Sequence, residues 1–112
     1  MSVAASPWPI SLAVRRAARE LAVAFDDGSA FALPARLLRA MTPSAQAHGH
    51  GGPDFAPVKV LDEVGLIEAS PVGRYAVRLR FDDGHSSGLY TWDRLHRIGR
   101  EAATLTSELD AL

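Results

Sequence analysis

LAVAFDDGSAFALPARLLR, residues 21–39, and YAVRLRFDDGHSSGLYTWDRLHR, residues 75–97, are two versions of one pattern. In each, an alternating run ends in Phe-Asp-Asp-Gly, a second extended run follows, and a helix-like segment closes the stretch. Glycine accepts positive φ without a steric cost and aspartate tolerates it, so Asp-Gly after an alternating run reads as a hairpin turn. Asp26, Asp27, Asp82 and Asp83 are therefore read as turn residues. The rival reading pairs these carboxylates for acid–base work or for a hard metal ion, and it requires the two copies to converge in space. With the helix starting at Pro34, the second version carries two extra residues before its helix. The pattern suggests a pseudo-repeat of a strand–turn–strand–helix unit.

The remaining elements extend outward from these two stretches. Ile10, Leu12 and Val14 alternate with Ser11, Ala13 and Arg15, which predicts a short strand. Leu21, Val23 and Phe25 alternate with alanines, so both faces are apolar or small and the strand is expected at the centre of its sheet. Phe31 and Leu33 continue as the return strand. Pro34 suits a first helical position, with a short helix over 35–40. Val58 and Val60 suggest a short extended piece. A strand is expected over Val64–Ala69, a turn at Ser70-Pro71-Val72-Gly73, and a half-buried strand over Tyr75–Phe81. Residues 86–90 return toward Thr91, an N-cap for a helix opening at Trp92. Trp92, Leu95, Ile98, Ala102, Leu105, Leu109 and Leu112 recur three or four apart as one apolar stripe. Gly99 interrupts it and predicts a kink or short break. The fold class is α+β: two strand–turn–strand–helix units forming a small, mainly antiparallel sheet with a C-terminal helix packed on it. Residues 1–9 read as a flexible N-terminus and 10–112 as a single domain.

Composition narrows the chemistry. A chain of 112 residues holds one core. A net charge of −1 creates no field to gather nucleic acid or anionic lipid, so neither a nucleic-acid nor a membrane role is expected. There is no cysteine, which removes disulfides, thiolate metal sites and a cysteine nucleophile. No stretch is long and apolar enough to span a bilayer, and a cytoplasmic location is the expectation.

Two stretches carry a family resemblance: VGRYAVRLRFDDGHSSGLYTWDRLH, residues 72–96, and LPARLLRAMTPSAQAHGHG, residues 33–51. Together they resemble the gamma-butyrobetaine hydroxylase-like N-terminal domain family, over nearly the whole chain from about Ile10. The resemblance implies a small α+β domain. In the larger hydroxylases it precedes an iron- and 2-oxoglutarate-dependent catalytic domain, and related copies are attached to P-loop carriers of iron–sulfur clusters. These 112 residues carry no resemblance to that catalytic domain, so hydroxylase activity is not expected to transfer. The hydroxylase version is expected to hold zinc with three cysteines and a histidine. Thr42, Ser44 and Ala47 stand at the thiolate positions and His85 at the imidazole position. Hydroxyls and a methyl group do not replace thiolates for zinc.

The residues offer a different candidate set. His48 and His50 lie in the glycine-rich stretch, with Asp54 nearby, and His85 would join them if that stretch folds toward the second hairpin. Imidazoles with a carboxylate suit a zinc or iron ion. Arg78 and Arg80 share one strand face, and Arg94 and Arg97 share the C-terminal helix, a basic surface for a protein partner. Three functions follow. The first is a noncatalytic accessory or protein-interaction domain, linked through its relatives to iron–sulfur or oxygenase pathways. The second is a metal-binding protein using His48, His50 and His85. The third is a small enzyme with residues 42–57 as a lid. The first explains the lack of a convincing catalytic constellation and is the reading we carry forward.

Overall fold

A computed structural model describes residues 7–42, 55–60, 63–84 and 88–112. The chain order is β1 (Pro9–Arg15), β2 (Glu20–Phe25), β3 (Ala30–Pro34), α1 (Ala35–Ala40), β4 (Leu66–Val72), β5 (Ala76–Phe81), β6 (Leu89–Thr91), α2 (Trp92–Arg100) and α3 (Ala102–Asp110). The class is α+β, and the strands divide between two antiparallel three-stranded sheets, β1-β2-β3 and β4-β5-β6. As expected from its two apolar faces, β2 is a central strand.

The repeat extends to individual hydrogen bonds. Gly28 and Gly84 have φ of 90° and 88°, the left-handed turn that the Asp-Gly pairs require. Phe25 and Phe81 end the strands before these turns, and both are buried. Opposite each phenylalanine the first strand of the unit carries one extra residue. Pro9 and Ser11 pair with Phe25 and Ala24, leaving Ile10 between them; Leu66 and Glu68 pair with Phe81 and Arg80, leaving Ile67. Both are β-bulges at the same place. Beside each bulge the first aspartate ties down the chain entering the strand. The Trp8 amide donates to Asp26 Oδ1 at 3.0 Å, and the Gly65 amide donates to Asp82 Oδ1 at 2.8 Å. The return bonds, from the Asp26 and Asp82 amides to the carbonyls of Trp8 and Gly65, measure 2.8 and 2.9 Å.

The second aspartate of each quartet reaches into the other unit. Asp27 Oδ2 accepts from His96 Nε2 on α2 at 2.8 Å, and Asp83 Oδ2 accepts from Arg39 Nε on α1 at 2.9 Å. A carboxylate only accepts, so the Nε2 of His96 carries the proton. Arg39 and His96 are each the fifth residue of their helix. The two units therefore exchange equivalent contacts. The ring of His96 also stands edge-on to Phe25 and Phe31, with centroids 5.0 and 5.7 Å away.

One core serves both units. Leu21, Val23 and Leu33 from the first sheet meet Val77, Leu79 and Tyr90 from the second, with Leu37, Leu38, Leu95 and Leu105 from the helices. Such burial is the main favourable term in folding, about 1.5–3 kcal/mol for each large apolar side chain. The buried Tyr90 hydroxyl donates to the Leu38 carbonyl at 2.6 Å, so the polar end of this core residue is satisfied by the other unit. Outside the core the two sheets differ. The outer face of the first carries Ala22, Ala24, Ala30 and Ala32, whereas the second exposes Glu68, Arg78 and Arg80.

Several boundaries move for identifiable reasons. Pro34 is the N-cap of α1 and Ala35 its first residue, so the second unit is one residue longer before its helix rather than two. β4 runs from Leu66 to Val72, and the turn comes after it, because Pro71 lies on an edge strand where its missing N–H costs no ladder bond. Tyr75 falls in that turn instead of opening β5. Val58 and Val60 form no strand; the Val58 amide bonds the Ala40 carbonyl at 3.1 Å. Order also begins before Ile10, since Pro9 is in β1 and Trp8 is bonded to Asp26. Thr91 caps α2, its hydroxyl accepting from the Arg94 amide at 3.2 Å. The helix break comes at Glu101, whose φ and ψ are −103° and 13°, rather than at Gly99. Gly99 serves packing: a Cβ there would lie 2.5 Å from the Phe31 ring.

Two outcomes follow. Gly99→Ala should destabilise the protein by about 1–2 kcal/mol in urea unfolding, because the clash outweighs alanine's helix preference. In a Phe31→Ala background the same change should stabilise, and additivity of the two would refute the contact. Asp27 is held at about 2, below the ordinary 3.8, first by the Ser29 hydroxyl, then by the Ser29 amide, with His96 adding a smaller share. A depressed carboxyl stabilises above its unfolded value and loses that contribution as pH falls through its folded one. The thermal midpoint of the wild-type chain should therefore exceed that of Asp27→Asn at pH 5, and the gap should narrow between about pH 4 and pH 2.

Candidate interaction surfaces

The two predicted arginine pairs occupy different elements and do different work. Arg78 and Arg80 project from the outer face of β5, where Arg80 Nε meets Glu68 Oε1 at 3.3 Å. Both groups of that pair are more than half exposed, so it contributes little to stability. Arg94 and Arg97 are one turn apart on α2 and share a partner, Phe55. Their guanidinium carbons lie 5.1 and 3.9 Å from the ring centroid. Arg97 also pairs with Glu101 at 2.8 Å.

Arg94 acts as a clasp. Its Nε and Nη2 donate to the Met41 carbonyl at 3.3 and 2.9 Å, while its face covers Phe55. Met41 and Phe55 flank the stretch 43–54. One side chain thus holds the chain on both sides of that stretch, and the Val58–Ala40 bond reinforces the second side. Burial lowers the Arg94 pKa from its ordinary value; the Arg97 charge adds in the same direction, and Tyr90 opposes it. Burial likewise pushes the Tyr90 phenol upward, so it remains a donor to Leu38.

His48, His50, Asp54 and His85 lie outside the described residues, as does most of the expected lid at 42–57. Among the described residues no three His, Cys, Asp or Glu side chains are grouped to hold a metal ion. The four turn aspartates engage separate partners: Trp8, His96, Gly65 and Arg39. Of the positions matching the zinc cysteines, Thr42 is described and its side chain is fully buried. With hydroxyls and a methyl group at those positions, the donor set does not fit a thiolate zinc centre.

A third surface was not anticipated. Trp8, Ile10 and Tyr75 are 47%, 67% and 57% exposed, three of the five exposed large apolar residues described. They border two adjoining hollows. One, of about 270 Å³, is walled by Pro7, Trp8, Tyr75, Trp92, Arg74 and Asp93. The other, of about 300 Å³, runs along Trp8–Leu12 and reaches Pro71, Arg74 and Trp92. The Trp92 Nε1 donates to the Arg74 carbonyl at 3.0 Å and fixes the shared wall. Sequence reasoning missed this surface because Tyr75 is in phase with the inward Val77, Leu79 and Phe81. The turn at 73–75 rotates it outward.

The model of the family described as gamma-butyrobetaine hydroxylase-like, N-terminal, matches residues 12–96. The chain belongs to this family. Three solved structures are similar to this chain. Two are NMR solution structures, both 34% identical to this chain. They have TM-scores of 0.80 and 0.76, covering 99% and 96% of this chain and 83% and 84% of those chains. The third is a crystal structure of a protein of unknown function from Acidithiobacillus ferrooxidans, placed in the DUF971 family. It is 32% identical with a TM-score of 0.64, covering 81% of this chain and 91% of that one. No curated protein matches.

The clasp has a measurable consequence for this gamma-butyrobetaine hydroxylase-like domain. Arg94→Met keeps a long apolar stem but strips the Met41 carbonyl of two donors. A loss of about 1–3 kcal/mol is expected in urea unfolding. Arg94→Lys should recover only part of it, since an ammonium lacks the planar fork and the stacking face. A neutral Arg94→Met would show that the clasp contributes nothing.

Proposed function

We propose that this chain is a noncatalytic accessory domain whose role is to bind another protein. The observation that supports it is the convergence of Trp8, Ile10 and Tyr75 on one open surface. Large apolar groups left exposed together usually mark a binding site rather than chance. The perturbed groups point the same way. Asp27, Tyr90 and Arg94 are shifted by bonds and burial that hold the fold together, not by assembly around a substrate-sized cleft. Arg78 and Arg80 offer a second, charged surface for the same partner, while Arg94 and Arg97 are largely committed to Met41 and Phe55.

The setting is proposed from the family resemblance: an iron–sulfur or oxygenase pathway, in the cytoplasm. Among the described residues no helix is long and apolar enough to cross a membrane. A chain without cysteine suits a reducing compartment.

The test is affinity capture of the tagged chain from its native host, beside Trp8→Ala and Tyr75→Ala chains, with metal analysis of each eluate. One protein should be retained in stoichiometric amount by the wild-type chain and lost with either variant. Retention of none beyond bare resin would reject the reading. Stoichiometric zinc or iron that disappears on His50→Ala or His85→Ala would replace it with the metal-binding alternative.

A further inference from the structure

The two units make the same contacts, so places where they differ carry information. Trp8 and Gly65 are equivalent: each donates its amide to the first aspartate of its quartet and accepts that aspartate's amide. In the second unit this position has no room for a side chain, since a Cβ on Gly65 would lie 2.7 Å from Asp82 Oδ2. In the first unit it carries a half-exposed tryptophan. The bulge residues differ in the same sense. Ile67 is partly covered, whereas Ile10 is two-thirds exposed. The fold needs neither side chain of the first unit turned outward, because the second unit builds the same bulge without an exposed pair. Bulges commonly re-aim side chains at functional surfaces.

The charge of the surface narrows the occupant. Arg74 walls both hollows. Its carbonyl is taken by Trp92, but its guanidinium has no hydrogen bond or ion pair among the described residues. Asp93 also lines the smaller hollow. Along Trp8–Leu12, Arg74 is the one charged side chain among the described lining residues. The surface therefore presents two mainly apolar hollows and, beside the second, a cation with no opposite charge among the described lining residues. Each hollow sits at or below the roughly 300–1,000 Å³ of small-molecule sites, which suits single side chains better than a cofactor. Because the larger one follows β1, its occupant lies along a strand rather than across it.

We propose that the surface formed by Trp8, Ile10, Tyr75 and Arg74 docks an extended peptide segment of the partner, in which large apolar side chains flank one acidic residue. The carboxylate meets Arg74 in a charge-assisted bond, and the apolar side chains fill the hollows on either side of Trp8. Tryptophan and arginine at the centre of such a surface are the residue types that carry most binding energy. This inference rests on the protein-binding reading and adds the chemistry of what is bound.

Its test is selection of a phage-displayed random dodecapeptide library on the full-length chain, followed by fluorescence anisotropy with the selected peptide. The expected consensus is an acidic residue flanked by large apolar ones. Trp8→Ala and Arg74→Glu should each weaken that peptide by about tenfold or more, as loss of a central contact does. Arg74→Glu should regain affinity for the peptide whose acidic residue is changed to lysine. Ile10→Ser, at a bulge with an exposed side chain, gives an independent readout should Trp8→Ala fail to fold. A consensus without an acid, or no consensus, would overturn the inference. So would a peptide whose affinity survives both Trp8→Ala and Ile10→Ser; the protein-binding reading would then stand or fall on the capture experiment alone. Concentration-dependent dimerisation abolished by Trp8→Ala would assign the surface to a second copy of the chain, and would equally overturn it.

Discussion

The fold depends on what the aspartates of two short turns do beyond turning. In each Phe-Asp-Asp-Gly the first carboxylate closes the opening of its own unit's first strand, and the second crosses to the helix of the other unit. Each half leaves an apolar sheet face that the other covers, and one core serves both. The crossed contacts set how the halves meet, and the shared core supplies the energy. Directional bonds select the arrangement, and burial of Leu21, Phe25, Leu79, Tyr90 and Leu95 stabilises it.

Much of this was legible in the chain. Alternation located the strands, and Asp-Gly located the turns. Thr91 announced the start of α2, because these signals are local and act within a few residues. Partners across the molecule were not legible. Gly99 stood out as an anomaly in a helical stripe, but its reason is the Phe31 ring, 68 positions earlier in the chain. Nothing near His96 in sequence reveals its partner, Asp27. Strand limits moved where edge geometry overrode local preference, as at Pro71.

The candidate surface was less visible than the fold, for a related reason. A tryptophan between two prolines near a chain start looks like part of a loose tail, and a tyrosine in phase with core residues looks buried. Both judgements fail at the point where a turn or a bulge rotates the side chain. The arginines of α2 illustrate the converse. Charge clustering suggested a surface for a partner, yet Arg94 spends its hydrogen bonds on Met41. Sequence reports which groups are available, and the three-dimensional arrangement decides which of them are already engaged.

The fastening of Met41 and Phe55 by one guanidinium has an evolutionary corollary. When both feet of a connecting stretch are anchored to the same helix, the span between them is set by the scaffold and not by the stretch. Doubling its length then adds only about 0.6 kcal/mol of closure entropy. Relatives can exchange, lengthen or rewrite residues between these feet while keeping the frame beneath them.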